Sequence, residues 1–183
     1  MANTFPRTRK SKLGYNVEEV EDFLEDARAA YTAQRGDVAV VSADSIRRTA
    51  FSMQKGGYSP AHVDAALERL EDAFATRDRE RALAEVGDAA WYGRARTTAQ
   101  VILDRLARPA GQKFNRTGVL TYGYSVKEVD KFAARLVGYF QHGKPMSVDE
   151  VRTVVFTSTK RGYAEWQVDL MLDSVTSVML AVR

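Results

Sequence analysis

The two histidines, His62 and His142, are the side chains of this chain best suited to proton transfer or metal binding. One lies in a predicted first helical turn and the other beside a Gly-Lys-Pro loop in the other half of the sequence. That separation lacks the spacing of zinc ligands, and the absence of cysteine removes thiolate ligands. The sequence also has no phosphate-binding glycine loop and no nucleophile elbow. We therefore predict two surface histidines and a protein without catalytic residues, metal or cofactor.

Polar side chains do recur at a fixed spacing, in a motif that occurs four times. Each copy has Gly-Tyr, a Val five positions after the Tyr and an acid six positions after it. The copies are Gly14, Tyr15, Val20 and Glu21; Gly57, Tyr58, Val63 and Asp64; Gly123, Tyr124, Val129 and Asp130; and Gly162, Tyr163, Val168 and Asp169. An internal repeat of this kind indicates one repeated structural unit.

The residue types of the motif predict structural roles. We expect the Gly to adopt a backbone geometry that is closed to other residues and to turn the incoming segment onto a helix. The Tyr ring is expected to pack on that helix with its hydroxyl at a polar edge. The acid could accept a hydrogen bond from the loop or pair with a base, and the sequence leaves both open.

A helix is expected to begin after each Gly-Tyr. Asn16, Ser59 and Ser125 are good N-caps, and Glu19 and Glu128 have the position that completes a capping box. Apolar residues then recur at intervals of three and four, which predicts one apolar stripe on each helix. The four stripes end at Tyr31, Phe74, Phe140 and Met179.

Copies two and four share features that copies one and three lack. Ser42 and Ser147 each predict a short additional helix before the motif, and Glu150 completes a capping box with Ser147. Phe51 and Phe156 lie seven residues before the Tyr, whereas the corresponding Phe of copies one and three lies ten residues before it. The chain is therefore interpreted as a duplicated pair.

A helical segment joins the two pairs. Gly87 is expected to bend or end it, and an amphipathic stretch from Trp91 to Leu106 should stop at Pro109 and Gly111. The stripe residues of that stretch are Trp91, Ala95, Thr98, Ile102 and Leu106. The only short strand-like run is residues 38–41. The predicted organisation is a first repeat pair at 1–76, a helical linker at 77–110 and a second pair at 111–183.

Composition limits the classes of function. At 183 residues, with 45% hydrophobic and 28% charged residues, the chain has the composition of a folded globular protein. No secretory signal and no bilayer-spanning apolar run are visible, so we expect a cytoplasmic protein whose membrane association would be peripheral. A net charge of +3 is too small to predict nucleic-acid binding, and we expect none.

Charge is unevenly distributed near the N-terminus. Arg7, Arg9, Lys10 and Lys12 are followed directly by a run of acids at 18–26. In one interpretation the acids favour the helix N-terminus, and the bases form a solvated arm. In the other, the basic segment contacts anionic lipid or an acidic partner. The sequence leaves both open.

The repeated unit resembles the N-terminal domain of the DivIVA family. The resemblance rests on a Phe, a short basic loop, Gly-Tyr, a cap residue, Val-Asp or Val-Glu and a following helix, and residues 51–67 are a good example. The four-fold arrangement is similar to the actinobacterial DivIVA-repeat proteins. The fold that this resemblance implies is all-α, with four DivIVA-like hook-plus-helix repeats arranged as two pseudo-symmetric halves joined by a helical linker.

The resemblance implies a non-catalytic scaffold or adaptor in bacterial cell division or polar cell-envelope growth. Family members act by contact with other proteins of that machinery and bind anionic membrane through the hook, the loop that ends in Gly-Tyr. We therefore expect a cytoplasmic monomer or small homo-oligomer that can lie at the inner face of the membrane, at the septum or pole. The alternative is a regulatory or ligand-binding protein that reuses the module only as a fold.

Two features differ from the family pattern. The Phe-Arg pair that precedes Gly-Tyr in the family is replaced here, so that only Leu13 and Tyr122 could serve as apolar wedges. Sustained heptads are missing, so filament-like assembly is not predicted. The candidate residues for membrane or partner contact are Arg7, Arg9, Lys10, Lys12, Leu13, Lys55, Tyr122, Lys160 and Arg161.

Overall fold

The computed structural model describes residues 4–32 and 41–182, and in that part of the chain the fold is mainly helical. The chain divides into two compact units, Met1–Arg81 and Ala82–Arg183. The boundary lies inside the segment that the sequence predicts to be a helical linker. Most of the strand-like run at 38–41 lies outside the described residues, and Val41 is buried without belonging to a strand.

The first unit begins with two short strands and two helices that alternate along the chain. They are β1 (Leu13–Tyr15), α1 (Val17–Thr32), α2 (Ala43–Arg47) and β2 (Met53–Lys55). Helix α3 (Pro60–Leu106) follows and continues into the second unit, where Gly87 interrupts it with φ 77° and ψ 163°. The predicted bend at Gly87 is confirmed, and Pro60 is the first helical residue, as its fixed φ favours.

The second unit repeats this order. Its remaining elements are β3 (Tyr122–Tyr124), α4 (Val126–His142), α5 (Val148–Arg152), β4 (Ser158–Lys160) and α6 (Glu165–Val182). Helix α3 ends at Leu106, before Pro109, and the ammonium of the buried Lys113 donates to the carbonyls of Leu106 and Arg108 at that end. Of the predicted stripe on this part of α3, Ala95, Ile102 and Leu106 are buried, Trp91 is half-buried and Thr98 is exposed.

Helix capping is confirmed in part. The Asn16 side chain accepts hydrogen bonds from the backbone N–H groups of the first turn of α1, and capping boxes close at Ser42 and at Ser147 with Glu150. The boxes predicted at Glu19 and Glu128 are wrong. Each carboxylate instead reaches across to the other hook of its unit, where it accepts a hydrogen bond from a backbone N–H at 2.7 Å. The donors are Ser52 and Thr157.

The strands pair in an antiparallel manner within each unit. β1 pairs with β2, and β3 pairs with β4. Hooks one to four, named after their Gly-Tyr copies, therefore pair one with two and three with four. These four three-residue strands are an addition to the all-helical prediction. Three residues show too little alternation to indicate a strand, so the pairing exists only because the hooks meet in the fold.

The motif glycines have a different role from the predicted one. A Cβ at Gly14 would lie 2.4 Å from the Tyr58 carbonyl oxygen, and one at Gly57 would lie 2.3 Å from the Tyr15 carbonyl oxygen. Neither glycine has a positive φ. The expectation of a special backbone conformation is therefore wrong, because Gly is needed for the close approach of two backbones. Gly123 and Gly162 meet backbone carbonyl groups in the same way, each with an oxygen at 2.3 Å.

The core of the first unit lies under the paired hooks and along α1 and α3. Ile46 of the short helix α2 packs with Ala27, Ala30 and Phe74 in one cluster, and Val20, Tyr58 and Val63 form a second. All four motif valines are at most 1% exposed. Arg47 and the buried Glu71 form an ion pair at 2.7 Å between α2 and α3. The predicted apolar stripes are thus confirmed as core-facing in this unit, except that Tyr31, the predicted end of the first stripe, is exposed.

In the second unit α6 packs against α5. Its buried residues recur at helical spacing and are Val168, Met171, Val175, Thr176, Val178, Met179 and Leu180. The Trp91 indole N–H donates to the Ala181 carbonyl at 3.0 Å, which ties the second part of α3 to the end of α6. None of the helices in the described residues is long and apolar enough to cross a bilayer.

We predict that Gly14→Ala destabilises the first unit by about 3 kcal/mol, because the new methyl group would force two backbones apart. Gly93→Ala is the matched control, since a Cβ at that helical position meets no atom within 4 Å. The control should be neutral or gain up to about 1 kcal/mol from helix propensity. Urea denaturation followed by circular dichroism compares them, and equal midpoints for both variants would contradict the close-approach role.

Candidate contact surface on the paired hooks

Backbone hydrogen bonds between the two tyrosines hold each hook pair together. The Tyr15 N–H donates to the Tyr58 carbonyl and the Tyr58 N–H donates to the Tyr15 carbonyl, both at 2.9 Å. Tyr124 and Tyr163 exchange the same two bonds at 3.0 and 2.8 Å. Reciprocal bonds of this kind fix the distance and register of two strands. The backbone of each hook is therefore fixed in position relative to the other hook of its pair.

The tyrosine hydroxyls bind the acid of the other copy in the pair rather than their own. In the first unit the Tyr58 hydroxyl donates to Glu21, and the Tyr15 hydroxyl is hydrogen-bonded to Asp64. The Tyr-to-acid spacing of the motif thus reflects an exchange between two copies. Of the two predicted roles of the acid, acceptance of a hydrogen bond is the one found here, and its donor is a tyrosine hydroxyl.

The second unit has the same exchange. The Tyr163 hydroxyl donates to Asp130 at 2.9 Å and accepts from the Lys113 N–H at 3.2 Å. Asp130 also accepts from the Gly111 N–H at 2.7 Å. Tyr124 is bonded to Asp169 in the reciprocal position. These bonds join the two hooks, the N-terminal turns of the helices that follow them and residues 111–113 into one polar network.

Burial sets the electrostatics of this network. It raises the pKa of the fully buried Tyr163 to about 12, and the neighbouring Asp130 carboxylate contributes in the same direction. Burial also raises the pKa of Asp169, which the hydrogen bond from Tyr124 partly offsets. Because its pKa lies near 12, the Tyr163 hydroxyl stays protonated around neutral pH and acts as a fixed hydrogen-bond donor rather than as a general acid.

The phenylalanines that precede each Tyr also pack on the paired copy. Phe5 meets the Tyr58 ring with centroids 5.4 Å apart, and Phe51 meets the Tyr15 ring at 5.5 Å. In the second unit Phe114 contacts Tyr163 and Phe156 contacts Tyr124, both at 5.3 Å. The Phe, Gly, Tyr and acid of each copy thus all contact the other copy of the pair.

The histidines lie apart from this network. His62 is exposed on the first turn of α3 with its Nδ1 3.0 Å from the Ser59 hydroxyl, and His142 is exposed at the end of α4. Both are surface residues, as predicted. Among residues 4–32 and 41–182, no group of three or more His, Asp or Glu side chains is placed to hold a metal ion.

The hooks of the first unit expose a basic surface that we call the basic tip. It consists of Arg9, Lys10, Lys12, Leu13 and Lys55, all of them exposed. Leu13 and Lys55 lie directly opposite each other in the β1–β2 pair, so the predicted wedge and a predicted base are cross-strand neighbours. Leu13 is 56% exposed.

The predicted solvated arm at the N-terminus is in part tied down. The Thr8 N–H donates to the Gly57 carbonyl, and the Arg7 guanidinium lies 5.8 Å from the Tyr58 ring centroid. Arg7 therefore packs on the hook pair, and like Arg9, Lys10 and Lys12 it is exposed at the surface.

The hooks of the second unit expose an apolar surface that we call the apolar tip. It consists of Val119, Leu120, Tyr122, Lys160 and Arg161. Leu120 is 85% exposed, and Tyr122 lies opposite Lys160 with the ammonium 5.9 Å from its ring centroid. The structure thus brings together three of the predicted contact residues, Tyr122, Lys160 and Arg161, beside two apolar residues that the sequence reasoning missed.

The missed residues could have been found by comparing copies one and three. With the offset of 109 between Tyr15 and Tyr124, Lys10 and Ser11 correspond to Val119 and Leu120. At the tip of the hook, copy three thus has two apolar residues where copy one has a base and a Ser. This difference indicates a candidate contact surface. The same comparison matches Arg7 with Arg116, whose guanidinium lies 5.8 Å from the Tyr163 ring centroid.

We predict that Tyr163→Phe costs about 1–2 kcal/mol of unfolding free energy near neutral pH, because Asp130 loses a hydrogen-bond donor. The raised pKa means that the protonated hydroxyl stabilises the fold below its ordinary value of 10.0 and ceases to do so as pH rises to about 12. The stability difference between wild type and variant should therefore shrink across that interval. Urea denaturation at a series of pH values measures it.

Tyr92→Phe, at an exposed position of α3, is the matched control and should follow the wild type at each pH. A constant difference between the wild type and Tyr163→Phe from pH 10 to 12 would contradict the role of the hydroxyl.

Comparisons with known proteins give no assignment. No protein-family model matches the chain, and the searches of curated proteins and of solved structures found no match.

Proposed function

We propose that this protein is a non-catalytic, DivIVA-like adaptor of bacterial cell division or polar envelope growth, which works by protein contact and attaches weakly to anionic membrane through its hook tips. Its two units are, on this proposal, duplicated hook pairs related by pseudo-symmetry, with each hook paired inside the chain. We infer the cellular role from the sequence resemblance and the mode of attachment from the chemistry of the hook tips.

The observation that carries the proposal is the apolar tip. Leu120 and Tyr122 extend from a hook whose backbone is held by reciprocal hydrogen bonds, and Lys160 lies beside the Tyr122 ring. A rigid apolar wedge next to bases suits the boundary between lipid headgroups and acyl chains. The bases add about 1 kcal/mol each near an anionic surface. The basic tip adds further positive charge from the first unit.

The backbone of Arg161 supports the same proposal. Arg161 has φ 56° and is the only residue other than glycine with a positive φ in the described ranges. The corresponding position of copy two is Gly56, with φ 67°. An Arg in this conformation costs about 1 kcal/mol relative to Gly. Arg161 is exposed at the tip. We therefore expect its charge to contribute to a surface contact that offsets this cost.

Sedimentation with vesicles of phosphatidylcholine and phosphatidylglycerol at low salt tests the attachment. The wild type should co-sediment, with less binding as salt rises and none to pure phosphatidylcholine. Leu120→Ser, which installs the residue of copy one, should weaken binding about tenfold because the wedge loses most of its transfer free energy. Val101→Ser, at a 64% exposed position on α3, is the matched control and should bind like the wild type.

Arg161→Gly separates binding from stability. It should raise the unfolding free energy by about 1 kcal/mol, since Gly accepts the positive φ, and still weaken vesicle binding severalfold. If the wild type fails to bind anionic vesicles at low salt, the membrane part of the proposal is wrong.

Fluorescence localisation in the native host tests the cellular role. Septal or polar foci that become diffuse in Leu120→Ser are the expected result. Diffuse signal in the wild type would favour the alternative, a regulatory or ligand-binding protein. A cleft of about 460 Å³ in the second unit, between Ala134 and Arg135 in the middle of α4 and residues 144–146, is where we would then look for a ligand.

A further inference from the structure

Two large apolar side chains lie one helical turn apart on the outer face of α6. Trp166 is 66% exposed and Leu170 is 53% exposed. Residues four apart on a helix are neighbours, so the two side chains form one continuous patch. The core-facing side of the same helix is occupied by other residues, among them Val168 and Met171. The patch is therefore separate from the apolar stripe that folds the unit.

The other three copies show that the fold does not need an apolar patch at this place. Trp166 and Leu170 stand three and seven positions after the motif Tyr. The corresponding residues are Ala61 and Ala65 in copy two, Glu18 and Asp22 in copy one, and Lys127 and Lys131 in copy three. Small or charged residues suffice wherever this face meets water. The internal packing of the chain therefore does not account for the Trp and Leu of copy four.

Charge indicates what would cover the patch. Helix α6 carries three acids, Glu165, Asp169 and Asp173, and no Lys or Arg within Glu165–Val182. Glu165 is exposed beside Trp166, whereas the Asp169 carboxylate is hydrogen-bonded to the Tyr124 hydroxyl. An anionic membrane would be repelled by this helix, and an acidic protein surface would be too. A cationic surface with an apolar centre is complementary to it.

We propose that the Trp166–Leu170 face of α6 docks an amphipathic helix of a partner protein, whose apolar stripe is flanked by Lys or Arg. Trp166 is the anchor, since Trp is among the residue types that are enriched at the positions that dominate binding energy. The partner helix would lie along α6 as amphipathic helices lie in apolar grooves. This assignment rests on the proposed adaptor function, because it names the surface through which the adaptor would recruit a partner.

Titration with labelled model peptides tests the docking face. A helical peptide of Leu and Lys should bind the wild-type chain, and the equivalent peptide of Leu and Glu should not. Trp166→Ala combined with Leu170→Ala restores the residues of copy two and should weaken binding of the Leu-Lys peptide by about tenfold or more. Lys127→Ala combined with Lys131→Ala, at the corresponding positions of α4, is the matched control and should leave binding unchanged.

Tryptophan fluorescence gives a second readout of the same event. Saturation with the Leu-Lys peptide should shift the emission of the wild type to shorter wavelength, and Trp166→Phe should abolish that shift while Trp91 remains. Equal peptide affinity for the wild type and the double Ala variant would overturn the proposal, as would equal binding of the Leu-Glu peptide. A failure of the wild type to bind the Leu-Lys peptide would overturn it as well.

Light scattering tests whether a second copy of the chain, rather than a partner helix, covers the Trp166–Leu170 patch. A wild-type dimer that becomes a monomer in the double Ala variant would overturn the partner-helix assignment in favour of self-association. Vesicle sedimentation of the double Ala variant should match the wild type, because the patch lies outside the hook tips. A wild type that binds anionic vesicles but not the Leu-Lys peptide would thus refute this inference alone, and a wild type that binds the peptide but not the vesicles would refute only the membrane attachment.

Discussion

The fold of each unit depends on the contact of two Gly-Tyr backbones without intervening side chains. At Gly14 and Gly57 a single methyl group would lie within 2.4 Å of a carbonyl oxygen. That proximity allows Tyr15 and Tyr58 to exchange backbone hydrogen bonds at 2.9 Å. The paired strands then set where the two following helices begin. A short hook, which alone could bury little apolar surface, becomes half of a stable unit.

Exchange between copies explains why the motif has the length it has. The hydroxyl of Tyr163 reaches Asp130, and that of Tyr124 is bonded to Asp169, so each copy supplies an acid for the other. The glutamates that would ordinarily close a capping box do the same by accepting bonds from the other hook. A single copy would leave these polar groups unpaired. The repeat is therefore a set of complementary halves rather than a set of independent modules.

The four copies of the motif also distinguish positions that the fold constrains from positions that it leaves free to vary. The motif residues are constant in type because they contact one another across the pair. Surface positions differ between the copies: Ser11 corresponds to Leu120 at the hook tips, and Ala61 corresponds to Trp166 on the helix faces. Arg161 keeps a positive φ where copy two has Gly56. Such differences between equivalent positions mark the candidate contact surfaces, since the internal architecture does not account for them.

The sequence by itself determined the repeat, the helices with their apolar stripes, the bend at Gly87 and the surface position of the histidines, because these follow from local spacing and capping. It also predicted basic and apolar contact residues, and these lie on the hook tips. Only the tertiary structure decided that Gly14 serves close approach, that Glu19 reaches Ser52, that three-residue strands pair and that Leu120 is a tip residue. These features depend on contacts between segments dozens of residues apart, which local periodicity does not encode.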